Sequence, residues 1–160
     1  MTDTARARAA ADYLIGKRAK DAELPDTLPD NLKPRNVDEA IAIHQATIAE
    51  IGPVGGWKVG AGNAAPLPAS GIKLSPATVA SRKRLVECEI GFRLGDALPS
   101  RDKPYERADV LKAIEFCQAT IEIVDPRYRD HTVLEPLVIA ADLGMHGTLV
   151  VGRPVEAWDP

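Results

Sequence analysis

Residues Arg84-Leu85-Val86-Glu87-Cys88-Glu89-Ile90-Gly91-Phe92-Arg93-Leu94 alternate between apolar and polar side chains. A period of two marks a β-strand, whose side chains point to opposite faces in turn. Val86, Cys88, Ile90, Phe92 and Leu94 make an unbroken apolar face. Glu87 and Glu89 therefore project together from the other face, roughly 6.5–7 Å apart along the strand. Two carboxylates this close repel each other unless they are solvated, protonated or bridged by a cation. A hard divalent ion such as Mg²⁺ or Mn²⁺ takes oxygen ligands at about 2.0–2.2 Å, often few carboxylates plus water and substrate oxygens. Glu-x-Glu alone is a weak motif, because a solvated strand face shows the same pattern. The surrounding sequence decides between the two.

A second β-branched run, Ala119-Thr120-Ile121-Glu122-Ile123-Val124-Asp125-Pro126-Arg127-Tyr128, again sets acids in apolar surroundings. Glu122 and Asp125 have opposite parity, so a regular strand cannot aim both at one ion. Glu122 lies between Ile121 and Ile123, where an unpaired carboxylate is expensive. Asp125 stands at the strand end, where it could cap the turn at Pro126 or pair with Arg127. Upstream, Gly55-Gly56-Trp57-Lys58-Val59-Gly60-Ala61 reads as a short strand with one lysine between glycines, open to close approach by backbone or ligand. It is not a P-loop: no Ser or Thr follows the lysine, and the glycine spacing is wrong.

The rest of the chain divides into a helical lead and a sheet. Thr4 to about Lys20 reads as a helix with Ala7, Ala10, Ala11, Leu14 and Ile15 on one stripe. Pro25, Pro29 and Pro34 make residues 24–35 an extended connector. Asn36 is a good N-cap for a second helix, with Asp38 and Glu39 at the positive end of its dipole. Val37, Ile41, His44, Ile48 and Ile51 recur at helical spacing, and Gly52-Pro53 ends that helix. His44 reads as a packed core histidine, since His131 and His146 are far off and lack metal-ligand spacing. Residues 63–80 read as a proline-rich functional loop. Pro104 suits a helix start, with Val110, Leu111, Ile114 and Cys117 as the buried stripe. Residues 135–142 are ambiguous between helix and strand, and 147–152 read as a short buried strand.

The 160 residues and formal net charge of −3 suit one globular domain with both signs interspersed. No basic patch broad enough for nucleic acid is present, Arg82-Lys83-Arg84 being the only dense cluster. No apolar run reaches membrane-spanning length, and the N-terminus lacks a signal-peptide core. The expected setting is cytoplasmic, with Cys88 and Cys117 reduced and buried.

The order Gly-Trp-Lys-Val-Gly, Glu-Cys-Glu-Ile-Gly-Phe-Arg-Leu, Ile-Glu-Ile-Val-Asp-Pro-Arg-Tyr, then Ala140-Ala141-Asp142 resembles the 2-oxopent-4-enoate hydratase and 4-oxalocrotonate decarboxylase branch of the fumarylacetoacetase superfamily. The likeness runs from about Val37 to the end and rests on the order and spacing of four motifs. It implies a mixed α/β (α+β) fold: an N-terminal helical cap over 1–54, then the first part of a fumarylacetoacetase-type β core over 55–160. Relatives of this kind are longer, so several more strands are expected beyond this point. The resemblance further implies a Mg²⁺ or Mn²⁺ ion held by Glu87, Glu89 and a third acid. Glu122 aligns with that third position, and Asp125 is the alternative. Lys58 matches the active-site lysine, which would hold the carboxylate of a small 2-oxo acid or move a proton. Ser70, Gly71 and Asp142 fall at candidate substrate-binding positions. The implied activity is a hydro-lyase adding water to a 2-oxo-alkenoic acid such as 2-oxopent-4-enoate, in meta-cleavage breakdown of aromatic compounds. Decarboxylation of a 4-oxalocrotonate-type acid is the alternative, and a non-catalytic metal- or oxo-acid-binding relative is the rival.

Two departures bear on turnover. Many relatives carry an acid before the glycine where this chain has Ala69-Ser70-Gly71, and they continue Ala-Asp with Asn where it has Leu143-Gly144-Met145. A roll stopping near Pro160 would leave Val86, Cys88, Ile90, Phe92 and Leu94 uncovered, with Leu149, Val150 and Val151. The expected remedy is a homo-oligomer or association with another subunit.

Overall fold

The computed structural model describes residues 3–60, 63–82 and 85–157. Two helices lead: α1 (Asp3–Gly16) and α2 (Val37–Ile51). A hairpin follows, β1 (Val54–Gly60) with β2 (Asn63–Pro68), then β3 (Ile72–Leu74), β4 (Leu85–Leu94), α3 (Arg107–Ala113), β5 (Ile114–Val124), α4 (Pro136–Ala141) and β6 (His146–Val151). The hairpin is a sheet of its own, and the other strands make a second sheet in the order β3-β6-β5-β4. This is the mixed α+β fold that the motif order implies.

The helical layer is built on small residues. Ala7, Ala10, Ala11 and Leu14 of α1 are buried against Ala40 and Ile43 of α2, with Leu28, Leu32, Tyr128, Val138 and Ala141 completing the cluster. Alanines at this spacing bring the helices together closely, because no side chain longer than a methyl separates them. Asn36 caps α2 by accepting from the Glu39 amide at 2.9 Å. His44 is buried and hydrogen-bonds the Ala140 carbonyl, a core role. Tyr128, Val138 and Ala141 tie the second half of the chain into this helical core.

Several local expectations are corrected. The first helix ends at Gly16, four residues short of Lys20. The buried face of α2 is Ala40, Ile43, His44 and Thr47, while Val37 and Ile41 stay exposed on a second apolar stripe. The loop expected over 63–80 contains β2 and β3. Pro66 and Pro68 are tolerated because both strands of a lone hairpin are edges, where a missing N–H is harmless. Ile114 and Cys117 belong to β5, not to the preceding helix, which stops at Ala113. There ladder pairing with β4 outweighs local helical spacing. Residues 136–141 are helical. Cys88 is exposed and Cys117 half-buried, so neither thiol is a core residue. Of the basic cluster, Lys83 and Arg84 lie outside the described residues, and Arg82 pairs with Asp125.

Val86, Ile90 and Phe92 are 60%, 68% and 52% exposed. The apolar face of β4 thus lies uncovered, whereas β6 keeps Val151 buried and Leu149 and Val150 half-buried. No helix among the described residues is long and apolar enough to cross a membrane.

Candidate metal centre

The acids come from two antiparallel strands. The β4–β5 register sets Glu87 directly opposite Glu122 and Glu89 opposite Thr120. Opposed residues share a face, so Glu122 joins the Glu-x-Glu pair on one side of the sheet. One ligand oxygen from each of Glu87, Glu89 and Glu122 lies within 4.8 Å of the others. Their burial is graded: Glu87 is exposed, Glu89 half-buried and Glu122 fully buried.

Lys58 reaches the same spot from the hairpin. In the β1–β2 pairing Lys58 opposes Ala65 and Gly56 opposes Leu67, and these four face the larger sheet. Trp57 and Val59, of opposite parity, are exposed. The Lys58 Nζ lies 2.5 Å from Glu122 Oε2 and 3.5 Å from Glu87 Oε2. It also donates to the Gly144 carbonyl at 3.3 Å. The Lys58–Glu122 contact is a close ion pair and not an aligned hydrogen bond. Between hairpin and sheet runs a cleft lined by Gly56, Lys58, Leu67, Glu89, Arg93 and Leu149, among others.

One ammonium faces three carboxylates, and the proton affinities follow. Burial pushes the Glu89 carboxyl up, and the charge of Glu122 adds to this while Lys58 opposes it. Burial would likewise raise Glu122, but the hydrogen bond from His146 and the nearby Lys58 ammonium hold it below its ordinary value. The donor set is all carboxylate oxygen, anionic in excess, and open to solvent on the Glu87 side. That is the chemistry a hard divalent cation needs, with room for water or substrate oxygens. Glu87, Glu89 and Glu122 would hold it.

The remaining site candidates lie elsewhere. Asp125 faces away from the acid cluster and pairs with Arg82 through contacts of 3.0 and 3.2 Å. Asp142 is buried, its carboxylate taken by Arg127 at 2.6 Å, and it does not reach the acid cluster. Ser70 is exposed on the short turn Ala69–Gly71. Gly71 packs against His146, where a Cβ would stand 2.9 Å from Nε2.

Sequence reasoning missed three contributors. His146 Nδ1 lies 3.0 Å from Glu122 Oε1, with both side chains fully buried. Gly144 receives Lys58 from within a left-handed turn, where Leu143, Gly144 and Met145 have φ of 52°, 60° and 62°. Arg127 anchors that turn by donating to the Asp142 carboxylate and to the carbonyls of Asp142 and His146. The one advance signal was the stretch Leu143-Gly144-Met145 after Asp142, where the sequence departs from the pattern it resembles. The contacts themselves span 15 to 86 positions in sequence.

The helical lead over a β-rich core is a mixed α+β fold of the fumarylacetoacetase type, shared with solved structures. The chain is similar to 4-oxalocrotonate decarboxylase from Pseudomonas putida G7 complexed with magnesium and adipate, with a TM-score of 0.78 at 16% identity. The same enzyme complexed with calcium and acetate gives a TM-score of 0.76 at 17% identity. Each match covers 95% of this chain and 64% of the solved one, so the chain spans under two thirds of that protein. No protein-family model matches the sequence, and no curated protein is significantly similar to it.

Proposed function

We propose that this chain carries the metal-binding and lysine-bearing part of a divalent-metal-dependent enzyme acting on small 2-oxo acids, and that its reaction is hydration of a 2-oxo-alkenoic acid. The observation that carries the reading is the convergence of Glu87, Glu89 and Glu122 within 4.8 Å beside the Lys58 ammonium. The neighbours of the same fold, complexed with magnesium or calcium and a carboxylic acid, support it. A divalent cation held by Glu87, Glu89 and Glu122 would supply Lewis-acid polarisation to a 2-oxo acid bound beside it.

The chain's own residues do the rest. Glu122, buried and held by His146, fixes one side of the site, while the exposed Glu87 leaves the other side accessible. Lys58 supplies a positive charge for a substrate carboxylate and N–H groups for proton transfer in a partly desolvated cleft. Leu67 and Leu149 give a short hydrocarbon chain an apolar wall. Decarboxylation is the second reading. Arg93 favours it, because it lines the same cleft on the face of β4 that carries Glu89 and could take the second carboxylate of a diacid.

The test follows the dienol absorbance of 2-hydroxypenta-2,4-dienoate with and without Mg²⁺ or Mn²⁺, and CO₂ release from 4-oxalocrotonate in parallel. Metal-dependent loss of the dienol with water added supports hydration. Metal-dependent CO₂ release moves the assignment to the decarboxylase. Metal binding without either reaction makes the chain a non-catalytic relative.

A further inference from the structure

We infer that His146 is the positioning residue of the metal centre: it fixes the Glu122 carboxylate so that its free oxygen faces Glu87, Glu89 and Lys58. The inference rests on the proposed metal site and extends it to a residue that coordinates nothing.

The contact is specific in its chemistry. A carboxylate can only accept, so the imidazole donates from Nδ1 to Glu122 Oε1 across 3.0 Å. That bond occupies one carboxylate oxygen from behind and leaves Oε2 turned toward the Lys58 Nζ. Both side chains are fully buried, so bulk water does not compete for the bond. Carboxylates that ligate metals are themselves held by outer hydrogen bonds, which orient the ligand and tune the site.

The fold contains a device that delivers the imidazole there. In the β5–β6 ladder Glu122 opposes Leu149 and Ile123 opposes Thr148. An unbroken register would set Val124 against Gly147 and Asp125 against His146, placing the imidazole on the wrong face. The register instead shifts between Ile123 and Val124, and Val124 opposes His146. His146 thereby gains the face that Glu122 and Val124 share, next to Glu122 on the diagonal. Gly147 makes the shift possible: a Cβ there would stand 2.5 Å from the Ile123 carbonyl oxygen. Gly71 clears the far side of the ring, where a Cβ would stand 2.9 Å from Nε2. That nitrogen is buried without a hydrogen-bond partner. A bulge and two glycines thus serve a ring whose sole hydrogen-bond partner among the described residues is Glu122.

The experiment measures Mn²⁺ affinity of the whole chain by titration calorimetry, for the parent, Glu87→Gln, His146→Asn, His146→Gln and His146→Leu, each checked for folding by circular dichroism. Asparagine places an amide N–H near the Nδ1 position, and glutamine places its amide near Nε2. His146→Asn is expected to bind Mn²⁺ within about threefold of the parent, and His146→Gln and His146→Leu about 10–100-fold more weakly. A purely space-filling role would instead rank the variants by volume, with no rescue by asparagine. Equal affinity in the parent and the folded Gln or Leu variant overturns the inference while leaving the metal site standing. So does an asparagine variant as weak as glutamine. A parent that binds no Mn²⁺, or a Glu87→Gln variant that binds as well as the parent, overturns the metal site itself and this inference with it.

Discussion

Arg127 and Asp142 form an ion pair at 2.6 Å with 0% and 1% of their side chains exposed. The guanidinium also donates to the backbone carbonyls of Asp142 and His146, at 2.8 and 2.7 Å. One side chain thereby closes the turn that presents Gly144 to Lys58 and begins the strand that presents His146 to Glu122. Removing Arg127 strands a buried carboxylate, whose pKa burial already pushes up against the pull of the guanidinium. Arg127→Leu should lower stability by about 3–5 kcal/mol in urea unfolding. Pairing it with Asp142→Leu should recover only part of the loss, because the two carbonyls still lack a donor. A single variant as stable as the parent would show that the lock is dispensable.

Lys58 faces the acids and not the solvent, with 17% of its side chain exposed. In the absence of an ion it is the charge that offsets the three carboxylates. Lys58→Met should therefore leave Mn²⁺ affinity equal to or tighter than that of the parent. Its turnover of a 2-oxo acid should fall by about 10²-fold or more. Weaker metal binding in this variant would mean that the lysine supports the ligands instead of competing with the ion.

Acid stability should report on Glu39. Hydrogen bonds from the Arg35 side chain and backbone, and then from Arg6, lower its pKa from 4.5 to about 2. A carboxyl with a depressed folded-state pKa contributes stability that is present above its unfolded pKa. That contribution is lost as the pH falls from about 4.5 toward 2. Glu39→Gln should flatten the dependence of Tm on pH across that interval and leave its slope above pH 5 unchanged. A parallel acid limb in parent and variant would assign the loss to other carboxyls.

The exposed face of β4 should drive association. Val86, Ile90 and Phe92 are more than half exposed on one strand, and a contiguous apolar strip of this kind seeks a partner. Sedimentation velocity should show species larger than the monomer at micromolar concentration, reduced by Ile90→Lys with Phe92→Lys. A parent that is monomeric throughout would show that the strip is tolerated in water.

The part of the site that was legible in the sequence is the part that depends on strand parity. Glu87 and Glu89 share a face because they are two apart, and Glu122 joins them because an antiparallel partner keeps that parity. Asp125 was separated from Glu122 by the same rule, and the structure turns it toward Arg82. His146 escaped because parity alone sends it the wrong way, and only the register shift brings it back. The Arg127–Asp142 lock escaped because each residue looked complete locally, one near Asp125 and the other in an Ala-Asp motif. In the fold, alanines spaced on α1 announced the helical layer correctly. Ile114 and Cys117 were misread because helical spacing and strand composition coincide there, and pairing with β4 decides the outcome.

Among the described residues β4 has a single ladder neighbour, β5, and the three acids straddle the seam between them. A slip of one residue along that seam would throw Glu87 and Glu89 to the opposite face and leave Glu122 alone. Cation affinity is therefore also a readout of strand alignment: a one-residue slip disperses the triad that the native register assembles. Amide hydrogen exchange along residues 85–94 should slow when Mn²⁺ is added and quicken again with chelator. The outermost strand of the sheet would then be the one whose local opening free energy the ion sets.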